Sequence, residues 1–203
     1  MASWSEVFVS RETRRRLEVH EVLLRKWNPR INLVSTRSLE DYWTRHAADS
    51  LQLLDHCHVT SGEWVDLGTG GGFPGVIVAI AAQTRMPDLR VHLVESDKRK
   101  AAFLTEVVRE TGVAARVSPA RVEQLPPANA SIVSARALAP LPQLLGYANR
   151  HLAPGGRALF LKGANCDAEI AAALEQWSFD VQKIKSATRE DAVILSIGDL
   201  SRA

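Results

Sequence analysis

The residues best suited to chemistry lie in the run Asp66-Leu-Gly-Thr-Gly-Gly-Gly-Phe-Pro-Gly75. An apolar stretch, Glu63-Trp-Val-Asp-Leu67, leads into it, and another, Val76-Ile-Val-Ala-Ile80, leads out. A strand that enters a glycine turn and leaves as a helix aims the first free N–H groups of that helix at a polar or anionic ligand. Gly68, Gly70 and Gly72 let the backbone approach such a ligand closely and take positive φ where the turn needs it. Pro74 suits the first helical turn, where its missing N–H is not needed.

Two ligands fit these glycines. Gly70-x-Gly72-x-x-Gly75 matches the dinucleotide fingerprint, which binds a pyrophosphate. Asp66-x-Gly68-x-Gly70-x-Gly72 matches the acidic glycine loop that binds S-adenosylmethionine (SAM). Asp66 favours SAM, because a carboxylate suits a cationic amino acid and repels a pyrophosphate. Glu95 closes the next apolar run, Leu93-Val-Glu95, where a carboxylate accepts from the two ribose hydroxyls. After a third run come Val122, able to pack on an adenine ring, and Glu123, able to accept from its amino group; a surface helix start is the alternative. Arg136 ends the fourth run, placed to hold a phosphate or a base edge, or to pair with a site carboxylate.

The elements that must position these residues follow from periodicity. Strands are expected at about 63–67, 90–95, 114–118, 130–135, 156–161, 178–185 and 192–198, with helices at about 74–84, 97–111, 141–152 and 166–176. This alternation implies a mostly parallel, helix-covered sheet. Only about six polar residues, Ser186 to Asp191, separate the last two strands, so those form an antiparallel hairpin. The result is an α/β, Rossmann-like sheet of the SAM-dependent methyltransferase type (class I), seven-stranded, with an N-terminal helical appendage. The boundary falls near residue 62, giving a helical segment 1–61 and a catalytic domain 62–203. In the first segment Ser10 caps a helix to about Trp27, which Asn28-Pro29 stops. Leu17, Val19, Leu23, Leu24 and Trp27 share its apolar face. A second helix runs from about Ser38 to Asp55.

The 203 residues, 46% hydrophobic and 24% charged, describe a globular chain. No apolar run approaches membrane-spanning length, and MASWSEVFVSRET lacks the pattern of a secretion leader. Cys57 and Cys166 are too few for a disulfide scaffold or a metal cage, so a reduced, cytoplasmic protein without metal is expected. The net charge of +2 hides an asymmetry. Residues 11–37 hold eight basic and three acidic side chains, a local +5, and the remainder carries −3. Candidate nucleic-acid contacts are Arg11, Arg14, Arg15, Arg25 and Lys26 on one face, Arg30, Arg37, Arg45 and His46 on another, and Lys98 near the cofactor. A solvated helix face explains the first group equally well, since Glu21 and Arg25 form an i,i+4 pair.

Taken together, several segments resemble the RsmG (GidB) family of bacterial 16S rRNA methyltransferases. They are Asn28-Pro-Arg-Ile-Asn-Leu-Val-Ser35, Arg45-His-Ala-Ala-Asp-Ser-Leu51, the glycine loop, Glu95-Ser-Asp-Lys-Arg-Lys100 with Phe103-Leu104, Ala135-Arg-Ala-Leu-Ala139 and Leu161-Lys-Gly163. The resemblance spans about residues 20 to 198. It implies methyl transfer from SAM to N7 of a guanine, guanine 527 of the 530 loop, on 16S rRNA or the small ribosomal subunit; a monomer is expected. It also implies SAM contacts at Gly68, Phe73, Val122, Glu123 and Arg136. The chain departs from the family where Asn28-Pro29 replaces Asn-Lys, and where Leu138 stands in place of a phenylalanine that could stack on RNA. In duplex RNA the N7 edge faces a groove too deep and narrow to enter, so the target must lie in a loop or be turned out.

Overall fold

The computed structural model describes residues 9–203; residues 1–8, part of the N-terminus read above as leaderless, lie outside them. Helix α1 spans Arg11–Ile31, and the Ser10 hydroxyl accepts from Thr13 N at 3.1 Å, as a cap should. The helix does not stop at Asn28-Pro29. Pro29 lies so near the end that it removes only one late helical bond, and the chain turns at Asn32 with φ 48. Asn28 instead fixes the exit, its Oδ1 accepting from Leu33 N at 2.8 Å and Val34 N at 2.9 Å.

The single helix expected over 38–55 is also broken. It consists of α2 (Thr36–Glu40), a π-helical segment (Tyr42–Ala48), the short α3 (Asp49–Leu51) and a 3₁₀ turn (Gln52–Asp55). π segments recur at functional sites. Arg136 meets this one, donating from Nη1 to Arg45 O at 3.3 Å.

Strand and helix then alternate: β1 (Ser61–Leu67), α4 (Gly75–Arg85), β2 (Asp88–Val94), α5 (Lys98–Thr111) and β3 (Ala115–Ser118). A 3₁₀ turn (Val122–Gln124) leads to β4 (Ala130–Arg136), α6 (Leu141–His151), β5 (Leu152–Lys162), α7 (Cys166–Leu174), β6 (Trp177–Lys185) and β7 (Val193–Arg202). The sheet order is β3-β2-β1-β4-β5-β7-β6, with β7 antiparallel to both neighbours. Strand order reverses between β1 and β4, so a crevice opens beyond their carboxyl ends. Asp66 sits beside Ser134 and Leu67 beside Ala135 in that register.

The pleat divides the core. Trp64 packs with α1, α4, α5 and the 36–55 segment, in a cluster holding Leu17, Leu24, Tyr42, Ile77 and Phe103. Val65 and Leu67 face the other way, in a cluster with Leu195 and Ile197 of β7 that α6 and α7 cover. The N-terminal helices therefore share a core with one face of the sheet. No helix among the described residues is long and apolar enough to cross a membrane.

Candidate active site

Asp66, the end of β1, lies beneath the glycine loop and is fully buried. Its Oδ1 accepts from Ser134 Oγ at 2.6 Å and its Oδ2 from Gly75 N at 3.0 Å. Trp64 Nε1 in turn donates to Ser134 Oγ at 2.8 Å. Burial raises the Asp66 pKa to about 6, against the opposing hydrogen bonds and the Arg136 charge. Asp66 thus ties β1, β4 and α4 together under the loop.

The loop's upper surface faces a cleft of about 260 Å³. Gly68, Gly70, Glu95, Val122 and Glu123 line it together, with Ser96, Leu138 and Tyr147 among others. Gly70 has φ 56, and a Cβ there would meet nothing nearer than 3.7 Å, so bare backbone faces the open space. Glu95 is held by Gly70 N at 2.9 Å on Oε2 and by Asp97 N at 2.8 Å on Oε1, which leaves lone pairs on both oxygens for hydroxyl donors. Val122 supplies an apolar wall. Glu123 accepts from Tyr147 OH at 2.6 Å, and that bond holds its pKa below the ordinary value.

A second cavity, of about 730 Å³, opens on the other side of Ala137 and Leu138, which line both. Arg45, His46, Asp49, Arg136, Lys162, Glu169 and Arg189 supply its charge and polarity. Arg136 Nη2 donates to His46 Nδ1 at 2.9 Å, and Asp49 Oδ2 lies 3.8 Å from Nη1. Burial lowers the Arg136 pKa to about 10, so it stays charged at neutral pH. Burial and the neighbouring arginines push His46 down to about 3. The neutral ring accepts on Nδ1, so its proton is on Nε2, which is buried beside the Ser38 backbone. Phe73 lies beneath the pair: His46 stacks on it at 4.4 Å and the Arg136 guanidinium lies 4.6 Å from the ring centre.

The structure therefore brings five expected cofactor residues into one cleft and places four elsewhere. Asp66 and Phe73 are buried under the loop and the larger cavity, and Gly72 faces α1. Arg136 lines the larger cavity with Arg45 and His46. Arg11, Arg14, Arg15, Arg25, Lys26 and Arg30 on α1, Arg37 on α2 and Lys98 on α5 are exposed and line neither cavity. Arg14 and Arg25 pair with Glu18 and Glu21 of their own helix.

Comparison with known proteins decides between the two ligands left open by the glycines. A family model described as GidB, rRNA small subunit methyltransferase G, matches residues 14–194. The chain belongs to the GidB family. A relative named ribosomal RNA small subunit methyltransferase G from Ruegeria sp. (strain TM1040) is 50% identical, over 97% of this chain and 96% of its own. One of the same name from Paracoccus denitrificans is 48% identical, over 96% and 99%. Among solved structures, a SAM-dependent methyltransferase from Aquifex aeolicus aligns with a TM-score of 0.58 at 12% identity, covering 73% of this chain and 89% of that one. TYW2 of P. horikoshii, in complex with MeSAdo, aligns at 0.53 and 15% identity, covering 74% and 62%. The fold is that of the class I SAM-dependent methyltransferases, and this GidB chain is a methyltransferase.

Several residues of this GidB site escaped the sequence reading. His20, fully buried on α1, meets Gly71 O through Nε2 and Tyr42 OH through Nδ1, both at 2.9 Å. A Cβ on Gly72, whose φ is 99, would lie 2.7 Å from His20 Nε2. The signal was present, since His20 falls between Leu17 and Leu24 on the apolar stripe of α1. Asp49, Ser134 and Glu169 gave no such signal.

Proposed function

We propose that this protein methylates N7 of a guanine in bacterial 16S rRNA, guanine 527 of the 530 loop, with SAM as methyl donor. The observation that carries the reading is the shared wall of Ala137 and Leu138. On one side lies a cleft with bare backbone, a carboxylate and an apolar face; on the other lies a larger cavity with convergent cations.

The cleft fits the cofactor. Gly68 and Gly70 would admit the amino-acid end, Glu95 would hold the ribose hydroxyls, and Val122 and Glu123 would take the adenine face and amino group. Bound there, SAM supplies an electrophilic methyl on sulfonium to the N7 lone pair, which needs no prior deprotonation. No general base is required of the protein, and positioning carries the rate. Asp66 and His20 hold the loop from below. Arg136, fixed by His46, Arg45 O and Asp49, holds a charge at the floor of the RNA side, where a phosphate or base edge can meet it. Leu138, 37% exposed, offers an apolar edge where the two cavities meet. The exposed cations of α1 and α2 would add phosphate contacts around the target loop.

We read the protein as a cytoplasmic monomer acting on the small subunit. Incubation with tritiated SAM and 30S subunits lacking the modification tests the function. Label mapped to N7 of that guanine is expected; label elsewhere, or none, refutes it.

A further inference from the structure

Lys162 and Glu169 line the RNA-side cavity and have no part in holding the cofactor loop. They form a 2.7 Å ion pair with side chains only 10% and 27% exposed. Each is also tied to the loop that carries Leu138. Lys162 Nζ donates to Ala139 O at 3.1 Å, and Glu169 Oε2 accepts from Leu141 N at 2.7 Å. Two of the three ammonium hydrogens are used. Glu169 Oε1 has no partner among the described residues. One donor and one acceptor thus remain, side by side and held in fixed order.

We propose that this pair reads the base, Lys162 donating to O6 and Glu169 Oε1 accepting from N1–H of the target guanine. The assignment rests on the functional reading above. With N7 turned to the shared wall, O6 is the next group along the base edge and N1–H the one after it. Guanine therefore presents acceptor then donor to a pair that presents donor then acceptor. Adenine presents its amino group and then the N1 lone pair, so both positions meet like groups and two buried polar atoms go unpaired. The same contact aids the reaction. Methylation at N7 places positive charge on the ring and acidifies N1–H, so its bond to a carboxylate strengthens as the methyl is transferred.

The experiment uses the full chain and 30S subunits reconstituted on 16S rRNA carrying guanosine, inosine or 2-aminopurine riboside at the target. Inosine keeps O6, N1–H and N7; 2-aminopurine keeps N7 but has neither O6 nor N1–H. Wild type should turn over inosine within about threefold of guanosine and lose about 10- to 100-fold in kcat/KM on 2-aminopurine, the usual scale of two-point base recognition. Glu169→Gln should lose about 10- to 100-fold on guanosine and inosine and lose nothing, or gain, on 2-aminopurine, whose N1 lone pair then meets an amide donor, with SAM affinity by calorimetry unchanged. A pair that merely braces the loop would lose equally on all three bases, and that result overturns the proposal. So does wild type treating guanosine and 2-aminopurine alike, an outcome that does not depend on the variant folding. Absence of label from guanosine-bearing subunits overturns the functional reading itself, and the pair's role with it.

Discussion

His20 is the joint between α1 and the cofactor loop, and its protonation state can be read from stability. Gly71 O can only accept, so Nε2 carries a proton and donates, while Tyr42 OH lies 2.9 Å from Nδ1 and 3.1 Å from Leu17 O and has one proton to share between those two acceptors. The ring is neutral when folded. Complete burial lowers its pKa from 6.5 to about 4. The unfolded chain therefore binds the proton first, and stability falls as pH falls from 6.5 towards 4. The full loss from this one group is about 3 kcal/mol, of which about 2 kcal/mol is gone by pH 5 relative to pH 7. Asp66 acts with the opposite sign. Its folded pKa of about 6 lies above the ordinary 3.8, so the folded state gains the proton first and recovers about 1 kcal/mol over the same interval.

Wild type alone cannot separate these terms, but His20→Gln can. The amide retains a donor for Gly71 O and removes the titration. Urea unfolding of both proteins at pH 7 and pH 5 gives the test. The variant should be the less stable at pH 7, and the gap should narrow by about 2 kcal/mol at pH 5. Parallel pH profiles would show that His20 titrates alike in both states and would refute the neutral, doubly bonded ring.

Three further outcomes follow from the same geometry. Gly70→Ala places a side chain at φ 56 and a methyl in the cleft, so it should cost about 1 kcal/mol of stability and, beyond that, weaken SAM binding about tenfold by calorimetry. Glu95→Gln leaves Gly70 N and Asp97 N facing a neutral amide, and SAM affinity should fall about 10- to 100-fold while 30S binding by filter retention is unchanged. Arg136→Lys keeps the charge but not the fork that reaches both Arg45 O and His46, so kcat/KM on 30S subunits should fall about 100-fold. Unchanged turnover and unchanged SAM affinity would remove Arg136 from the site.

What the sequence revealed of this protein follows from how locally each feature is specified. Glu95 follows directly on β2, and Val122 and Glu123 sit in the short turn a few residues past β3, so the order of strands placed them beside Gly68 and Gly70. Asp66 was harder, because its role depends on which way one carboxylate points. The pleat of β1 and its register with Ser134 turn it under the loop, and register is a property of the sheet rather than of the segment. His20 and His46 lie further from reach, as each is defined by a partner more than forty residues away. The same holds for charge. The local +5 of residues 11–37 is visible in the sequence, but Arg14, Arg16 and Arg25 are paired with glutamates on their own helix. The larger cavity instead gathers Arg45 from the π segment, Arg136 from the end of β4, Lys162 from the end of β5 and Arg189 from the hairpin turn. Four cations from four elements, set against one wall of the cofactor cleft, point to the working face more directly than a basic run on one helix. Only the fold assembles them.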